Sequence, residues 1–555
     1  MAKKIILIIL IVIGIFMRLY QLNSLPGGLF ADEVSIAVNA KTIAENGVDE
    51  YGRKIPFGFE SFSDYKMPLY IYLTAGVYKV LGPTVLTVRL VATLSGISSI
   101  FLLGYLAYIM FPQKKYMSYY AMTVLSLCLL HIHFSRIAYE TTLSTAFLLL
   151  YLIALYQIIL HPNLKRWLLI GSLGIILSLW SYYASRFIIP VFTGSLLVTL
   201  LLVKRQDKLK LIRNFSIFLG VSLFSFIPAL FGAHVDNRPA SYLLSDIKGN
   251  TFFEKVLSKG RSIVASVLWI FNSEFLFQKG DVFAFRHGTK ENGVYLSIFA
   301  VPYFMGIWLF IREFSLKNLP LLFLGVFALV ACLPSALTSG VPYAPRLLPM
   351  LIPLSLLIAY GLDKSLDIVS EQRADVRKGI YLLIMAIVAY QLSYFVHIYF
   401  THFKSTSLPE FPTPTVLLGH DIKKIRIDNP TTKIFFLGGK SCHNWGHDDL
   451  YLWYFADLPN TDMIRWDNQF RKERYDTTRS PFDAYDALTQ PRFSFSSLIM
   501  NPTEAEIDMS PKGSVVIRCG YFAPTLDRKK EKIDKIYYLY PSTQQDPFYV
   551  MTTKL

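Results

Sequence analysis

Apolar runs close to twenty residues long recur along this chain, and they constrain its fold more than any other feature. A helix needs roughly 20 apolar residues to cross a hydrocarbon core about 30 Å thick. Candidate spans lie near 5–20, 84–111, 118–134, 137–160, 167–183, 187–203, 211–231, 294–311, 319–337, 346–362 and 380–400. That makes about eleven spans, with ends loose by several residues. Pro190, Pro228, Pro334 and Pro353 interrupt some of them, as membrane helices tolerate. A chain that is 53% hydrophobic and 15% aromatic belongs with polytopic membrane proteins.

The formal net charge of +16 would favour nucleic acid in a soluble chain. Here the basic residues gather in short loops between spans, where anionic lipid is the better partner, and no nucleic-acid role is expected. The start, Met1-Ala2-Lys3-Lys4 followed by an apolar run, reads as an uncleaved anchor. With that end inside, Lys114-Lys115, Lys165-Arg166, Lys204 to Arg213, Arg312 to Lys317 and Lys364 to Lys378 all fall inside as well. The opposite loops, near 21–83, 134–137, 183–187, 232–293 and 338–346, are richer in Asp, Glu, Tyr, His and Pro. This is the orientation of a multi-pass protein of the cell membrane. An odd number of spans places residues 401–555 outside.

Two domains follow: a membrane domain over 1–400, with a long first outer loop at 21–83, and an extracytoplasmic α/β domain over 401–555. Within the first loop, Met67–Leu81 is apolar but short for a span, and reads as an interfacial or re-entrant helix. In the tail, Lys433–Gly439, Ser514–Gly520 and Lys535–Tyr540 read as strands ending in turns. Cys128 and Cys332 fall in apolar spans. Cys442 and Cys519 lie in the tail and are placed to pair if it is extracytoplasmic.

The most unusual stretch is Gly27-Gly28-Leu29-Phe30-Ala31-Asp32-Glu33, two adjacent carboxylates a few residues after the first span. Acids so near a membrane are costly unless something solvates or uses them. On the same face fall Asp64 and Lys66, then Arg136 and Glu140, then Tyr182, Tyr183 and Arg186, and finally Arg346. A cationic set with a few acids suits an anionic, phosphate-bearing ligand and a carboxylate that takes a proton. Plainer readings stand beside this one. Arg136 and Glu140 are four apart and could pair along a helix. Arg89 lies deeper and could buttress a carboxylate. Tyr182 and Tyr183 fit an aromatic belt, and Arg186 and Arg346 fit interfacial anchors. His131-x-His133 and the Cys442–Asp449 stretch carry metal-ligating residue types without a completed ligand set. Asp236, Arg238, Asp281, Arg286 and His287 are candidate pocket-lining residues of loop 232–293, with no role assigned.

These motifs together resemble the polyprenyl-phosphate-sugar-dependent glycosyltransferases of GT-C fold, in particular glycosyltransferase family 39, which holds the protein O-mannosyltransferases and the aminoarabinose transferase of lipid A. The resemblance covers about residues 1–400 and rests on Asp32-Glu33, Tyr65-Lys66-Met67-Pro68-Leu69, Val88-Arg89-Leu90, Phe134-Ser135-Arg136 with Glu140, and Pro345-Arg346-Leu347-Leu348-Pro349. It implies a mainly helical membrane fold and inverting transfer of a sugar from a polyprenyl phosphate to a hydroxyl of a protein, lipid or glycan, outside the cytoplasm. It implies Asp32 as catalytic base, with Glu33 beside it in the catalytic pair as an orienting or acceptor-contacting residue, and Lys66 and Arg136 on the donor phosphate. Arg186 and Arg346 are added to the phosphate set, and Asp64, Arg89, Glu140 and Tyr183 to the supporting residues. No cofactor is required; a divalent metal is compatible. Tyr65 stands where the aminoarabinose transferases carry Glu before the lysine, with Asp64 one residue earlier, so a metal role inferred from that Glu does not carry over to this position directly. Glu140 stands where many relatives carry Asp. A polytopic transporter or flippase is the competing class, but it predicts charges in both leaflets and paired broken repeats; neither is seen in this sequence.

Overall fold

The computed structural model describes residues 2–61, 64–203, 208–224, 251–282, 284–338, 342–408, 410–437, 448–459, 493–494, 498–500, 504–519, 530–538 and 547–555. The chain divides into two compact units. One comprises Met1–Leu22, Lys66–Tyr70 and Arg89–Thr401; the other comprises Asn23–Tyr65, Ile71–Val88 and His402–Leu555.

In chain order the helices and strands begin with α1 (Ala2–Leu19), α2 (Ala31–Asn46), the short strands β1 (Phe59–Ser61) and β2 (Asp64–Lys66), and α3 (Pro68–Leu81). There follow α4 (Val85–Met110), α5 (Met117–Ser126), α6 (Leu129–Phe134), α7 (Glu140–Leu160), α8 (Lys165–Leu179), α9 (Ser185–Leu202) and α10 (Lys208–Phe224). Then come α11 (Phe252–Ile270), α12 (Ala300–Glu313), α13 (Leu319–Thr338), α14 (Ala344–Leu347), α15 (Leu351–Ser370) and α16 (Ala374–His397).

The first unit is a helical bundle. Helix α7 packs on α8, α12 on α15, and α5 on both α1 and α15. Among the described residues, six helical stretches are long and apolar enough to cross a membrane: Val85–Met110, Glu140–Leu160, Ser185–Leu202, Leu319–Thr338, Ala344–Ser370 and Ala374–Thr406. This is a membrane protein. Other expected spans are met by shorter helices, such as α8 with 15 residues and α12 with 14. The span expected at 118–134 is broken between α5 and α6, where Cys128 adopts an extended conformation. A broken helix frees backbone donors that must be satisfied locally. Here the Val294 carbonyl accepts the Leu129 N–H at 2.9 Å, and the Cys128 thiol donates to it at 3.4 Å. Helix α11 lies in what the charge pattern presents as a loop. It packs on α13.

The second unit joins the first loop to the tail. Its tail carries α17 (Phe403–Thr406), α18 (Thr413–Asp428), β3 (Ile434–Leu437), α19 (Asp448–Phe455), β4 (Phe493–Ser494), β5 (Leu498–Met500), α20 (Glu504–Asp508), β6 (Val515–Cys519), β7 (Glu531–Tyr538) and β8 (Pro547–Lys554). The six strands form one sheet in the order β4-β5-β3-β6-β8-β7. Strand β3 runs parallel to both neighbours, and the other pairs are antiparallel. All three strands expected in the tail are present. Arg518 on β6 forms a buried bidentate pair with Glu531 on β7, at 2.5 and 2.6 Å. Thr552, on the intervening β8, donates to the same carboxylate at 2.5 Å.

Candidate active site

In the helical unit Arg136 lies in the turn between α6 and α7. Arg18 of α1 is buried and anchors that turn, donating to the Ser126 carbonyl at 2.8 Å and to His131 Nδ1 at 2.8 Å. Ser135 donates to the His131 carbonyl at 2.5 Å, and Thr93 of α4 donates to the Ser135 carbonyl at 2.8 Å. Helix α4 can approach this closely only because residue 96 is glycine: a Cβ there would lie 2.1 Å from Ser135 Oγ.

Arg136 follows directly and is fully buried. Its guanidinium donates to the Met17 carbonyl at 2.5 Å and lies 5.5 and 5.1 Å from the ring centres of Tyr399 and Phe400. Arg89, also fully buried, donates to the Leu22 carbonyl at 3.2 Å. Lys66 is buried as well, at the end of β2 where Pro68 opens α3. Arg136 precedes α7 and Glu140 is that helix's first residue, so the two do not share a helix face. Glu140 is buried at the α7 N-terminus, where a carboxylate is favoured by the helix dipole.

Two further arginines sit on tyrosine rings. Arg186, near the start of α9, lies 5.0 Å from the Tyr183 ring centre. Arg346 on α14 lies 4.9 Å from that of Tyr343 and donates to Thr338 Oγ1 at 2.5 Å. Thr141 of α7 donates to the Pro345 carbonyl at 2.9 Å, which ties Arg346's helix to the α6–α7 turn.

His133 has both ring nitrogens engaged: Nε2 lies 2.8 Å from the Arg286 carbonyl and Nδ1 2.9 Å from the Tyr399 hydroxyl. The first must receive an N–H, so Nδ1 accepts from Tyr399. That leaves no lone pair for a metal. Among the described residues no three His, Cys, Asp or Glu gather as a metal group. Most of the Cys442–Asp449 stretch, and Asp236 and Arg238, lie outside the described residues.

Asp32 and Glu33 belong to the other unit, in the first turn of α2. They have different environments. Glu33 is buried, and its Oε2 accepts the Phe30 N–H at 3.1 Å, closing the N-terminus of its own helix. Asp32 is partly exposed. Helix α2 is held almost wholly buried from Glu33 to Thr42. Lys41 donates to Asp457 at 2.5 Å and lies 4.8 Å from the Trp453 ring centre, and Tyr451 donates to the Leu29 carbonyl at 2.9 Å. Residue 27 must be glycine or displace its neighbour, since a Cβ would lie 2.5 Å from Thr413 Oγ1. Asp64 is on β2.

Loop 280–296 carries what the motifs leave unassigned. Asp281 Oδ2 accepts from His287 Nδ1 at 2.8 Å and from the Ala344 N–H at 3.0 Å. The acid and histidine types of this pair are visible in the sequence, but not their partnership.

No protein-family model matches this chain, and no curated protein matches its sequence. Among solved structures, the chain is similar over its full length to ArnT from Cupriavidus metallidurans in the apo state, with 12% identity, a TM-score of 0.56, and 100% of this chain and 99% of that one covered. The same enzyme bound to undecaprenyl phosphate matches with 12% identity and a TM-score of 0.52, covering 100% and 98%. At such identity the likeness is one of fold. The fold is the mainly helical GT-C type with a small C-terminal sheet domain.

Proposed function

We propose that this protein is an integral-membrane glycosyltransferase that moves a sugar from a polyprenyl-phosphate donor to a hydroxyl acceptor, with inversion. The observation that carries this reading is the fully buried guanidinium of Arg136, 5.5 and 5.1 Å from the ring centres of Tyr399 and Phe400. Arg136, stacked on aromatic rings, presents the planar fork that matches a phosphate. The shared fold with an enzyme that binds undecaprenyl phosphate makes a lipid monophosphate the natural anion.

In this reading Lys66, Arg136, Arg186 and Arg346 bind the donor phosphate, and Arg89 supports Arg136. Asp64, Glu140 and Tyr183 support the set. Asp32 removes the proton from the acceptor hydroxyl as its oxygen attacks C1. The C1–O bond to phosphate breaks with oxocarbenium character, and the fixed cations stabilise the leaving polyprenyl phosphate. One base and one displacement invert the anomeric centre. Glu33 fixes the helix that carries Asp32. The acceptor is a protein, lipid or glycan.

A separate apolar groove of about 510 Å³, lined by residues such as Phe271, Phe304, Phe310, Leu329 and Leu357, suits an isoprenoid chain. We place residues 1–400 as the catalytic domain of a plasma-membrane protein and 401–555 as an extracytoplasmic domain. The disulfide at Cys519 fits an oxidising compartment; its expected partner, Cys442, lies outside the described residues. Binding of undecaprenyl phosphate to Arg136→Ala tests the reading. A loss of tenfold or more in affinity, about 1.4 kcal/mol, supports it. Unchanged affinity opposes it.

A further inference from the structure

A cavity of about 270 Å³ opens where the 277–297 segment meets α16 in the helical unit. Its lining includes Glu291, Asn292, Ser297, Tyr390, Gln391 and Tyr394. Helix α16 is exposed along most of its apolar length, as a lipid-facing span is. Tyr390 and Tyr394 lie in its last two turns and are 72% and 43% exposed. That is the level at which the tyrosines of a span meet lipid headgroups. The cavity therefore faces the bilayer at headgroup depth.

The hydrogen-bonding groups left on its wall are mostly acceptors. Ser297 Oγ donates to the Phe277 carbonyl at 2.7 Å and keeps its lone pairs to accept. Asn292 donates to Thr289 Oγ1 at 2.9 Å, which leaves its side-chain carbonyl as an acceptor. Glu291 is exposed, and among the described residues no cation pairs with it. Gln391 is the fixed donor: its Oε1 accepts the Ile298 N–H at 3.2 Å, so its amide nitrogen is what remains for a ligand. No lysine or arginine among the described residues lines the cavity. A lone carboxylate without a countercharge disfavours an anion there and favours a cation. A primary ammonium carries three N–H donors and no acceptor, and the faces of the tyrosines add cation–π attraction. A sugar hydroxyl is donor and acceptor at once and matches an acceptor-rich wall less well.

We propose that this cavity binds the headgroup of a membrane lipid carrying a primary ammonium, the aminoethyl phosphate of a phosphatidylethanolamine. Glu291, Asn292 and Ser297 accept from the ammonium, Tyr390 and Tyr394 present their rings to it, and the Gln391 amide donates to a phosphate oxygen. The chemistry is opposite to that of the arginine and lysine set proposed for the donor phosphate. There, cations await an anion; here, a carboxylate awaits a cation. The inference stands apart from the glycosyltransferase reading and needs only that the helical unit lies in a membrane.

The test uses the full-length protein in detergent and four lipids of one acyl composition: phosphatidylethanolamine, phosphatidylcholine, phosphatidylglycerol and glucosyl diacylglycerol. Binding is read as a Kd for each. Wild type should bind phosphatidylethanolamine about tenfold more tightly than the other three, the worth of hydrogen bonds to a charged group. Phosphatidylcholine keeps the positive charge but has no N–H to give. Glu291→Gln should weaken phosphatidylethanolamine binding about tenfold and leave phosphatidylglycerol binding unchanged. Ser297→Ala should weaken it in the same direction by about threefold. Both side chains are exposed, so both variants should fold. Equal affinity for phosphatidylethanolamine and phosphatidylcholine overturns the proposal, as does an affinity that Glu291→Gln leaves unchanged. Tighter binding of glucosyl diacylglycerol overturns it in favour of a sugar site. Displacement of the bound lipid by soluble phosphoethanolamine at the same concentration as by phosphatidylethanolamine overturns the assignment to a membrane lipid.

Discussion

At the scale of single residues, the two adjacent acids of α2 have different environments: Glu33 is buried and Asp32 is partly exposed. Glu33 reaches back to the Phe30 N–H, the reach of a third-position acid in a helix cap. Gln can make the same bond, so Glu33→Gln should keep both folding and transfer. Glu33→Ala should lower stability by about 1 kcal/mol, read as a drop in thermal midpoint. Loss of transfer in folded Glu33→Gln would give Glu33 a catalytic charge instead. Arg136 offers a second contrast. Lys keeps the charge but lacks the stacked planar fork. Arg136→Lys should therefore weaken undecaprenyl phosphate binding about tenfold, measured as a Kd, with the fold intact; an unchanged Kd would reduce Arg136 to a structural anchor. Sequence made both residues visible, since acids and arginines are rare beside apolar spans. It did not show that Glu33 would be buried against its own helix start, because a cap at a Phe30 position carries no Ser, Thr, Asp or Asn signal.

At the scale of elements, the expected apolar spans were legible wherever composition was uniform. The break at Cys128 was not, because the acceptor that satisfies its freed donors is the distant Val294 carbonyl. Helix α11 was hidden by Lys255, Lys259 and Arg261 among its apolar residues, which read as loop. In the tail, β3, β6 and β7 were announced by aromatic and β-branched runs, whereas β8 starts at a proline and ends in Thr552-Thr553-Lys554. Yet β8 carries the hydroxyl that completes the Arg518–Glu531 pair. Breaking a buried pair by removing one partner costs about 3–5 kcal/mol. Glu531→Ala should therefore unfold the tail at markedly lower denaturant; a shift below about 1 kcal/mol would show that water already compensates the pair. The clamp on α2 gives a pH signature. Burial alone would raise the Asp457 carboxyl, but bonds from Lys41 and Lys423 outweigh it and hold it below the usual carboxylate range. Its stabilising contribution is then present above the unfolded-state value and is lost as pH falls through the lowered folded value. Asp457→Asn should remove that acid-limb dependence; an unaltered limb would exclude this pair as its source.

For the whole molecule, the class of fold was readable from run lengths and from the order of short motifs, and the full-length likeness to ArnT agrees with it. The grouping of the first loop with the tail was not readable, since it depends on contacts such as Lys41 with Asp457 and Tyr78 with Tyr454 across hundreds of residues. Orientation has its own test. Cys519 is disulfide-bonded, while Cys128 and Cys332 are buried free thiols. In intact cells, a membrane-impermeant maleimide should label Cys519 only after reduction. Labelling that requires membrane disruption would place the tail inside. The most direct test of the central claim is transfer itself. Wild type and Asp32→Asn are compared in membranes for movement of labelled sugar from a polyprenyl monophosphate to endogenous acceptor. Removing a general base typically costs about 10²–10⁴-fold, so the variant should fall by at least about a hundredfold while still binding undecaprenyl phosphate; transfer at the wild-type rate would contradict the assignment of Asp32 as the base.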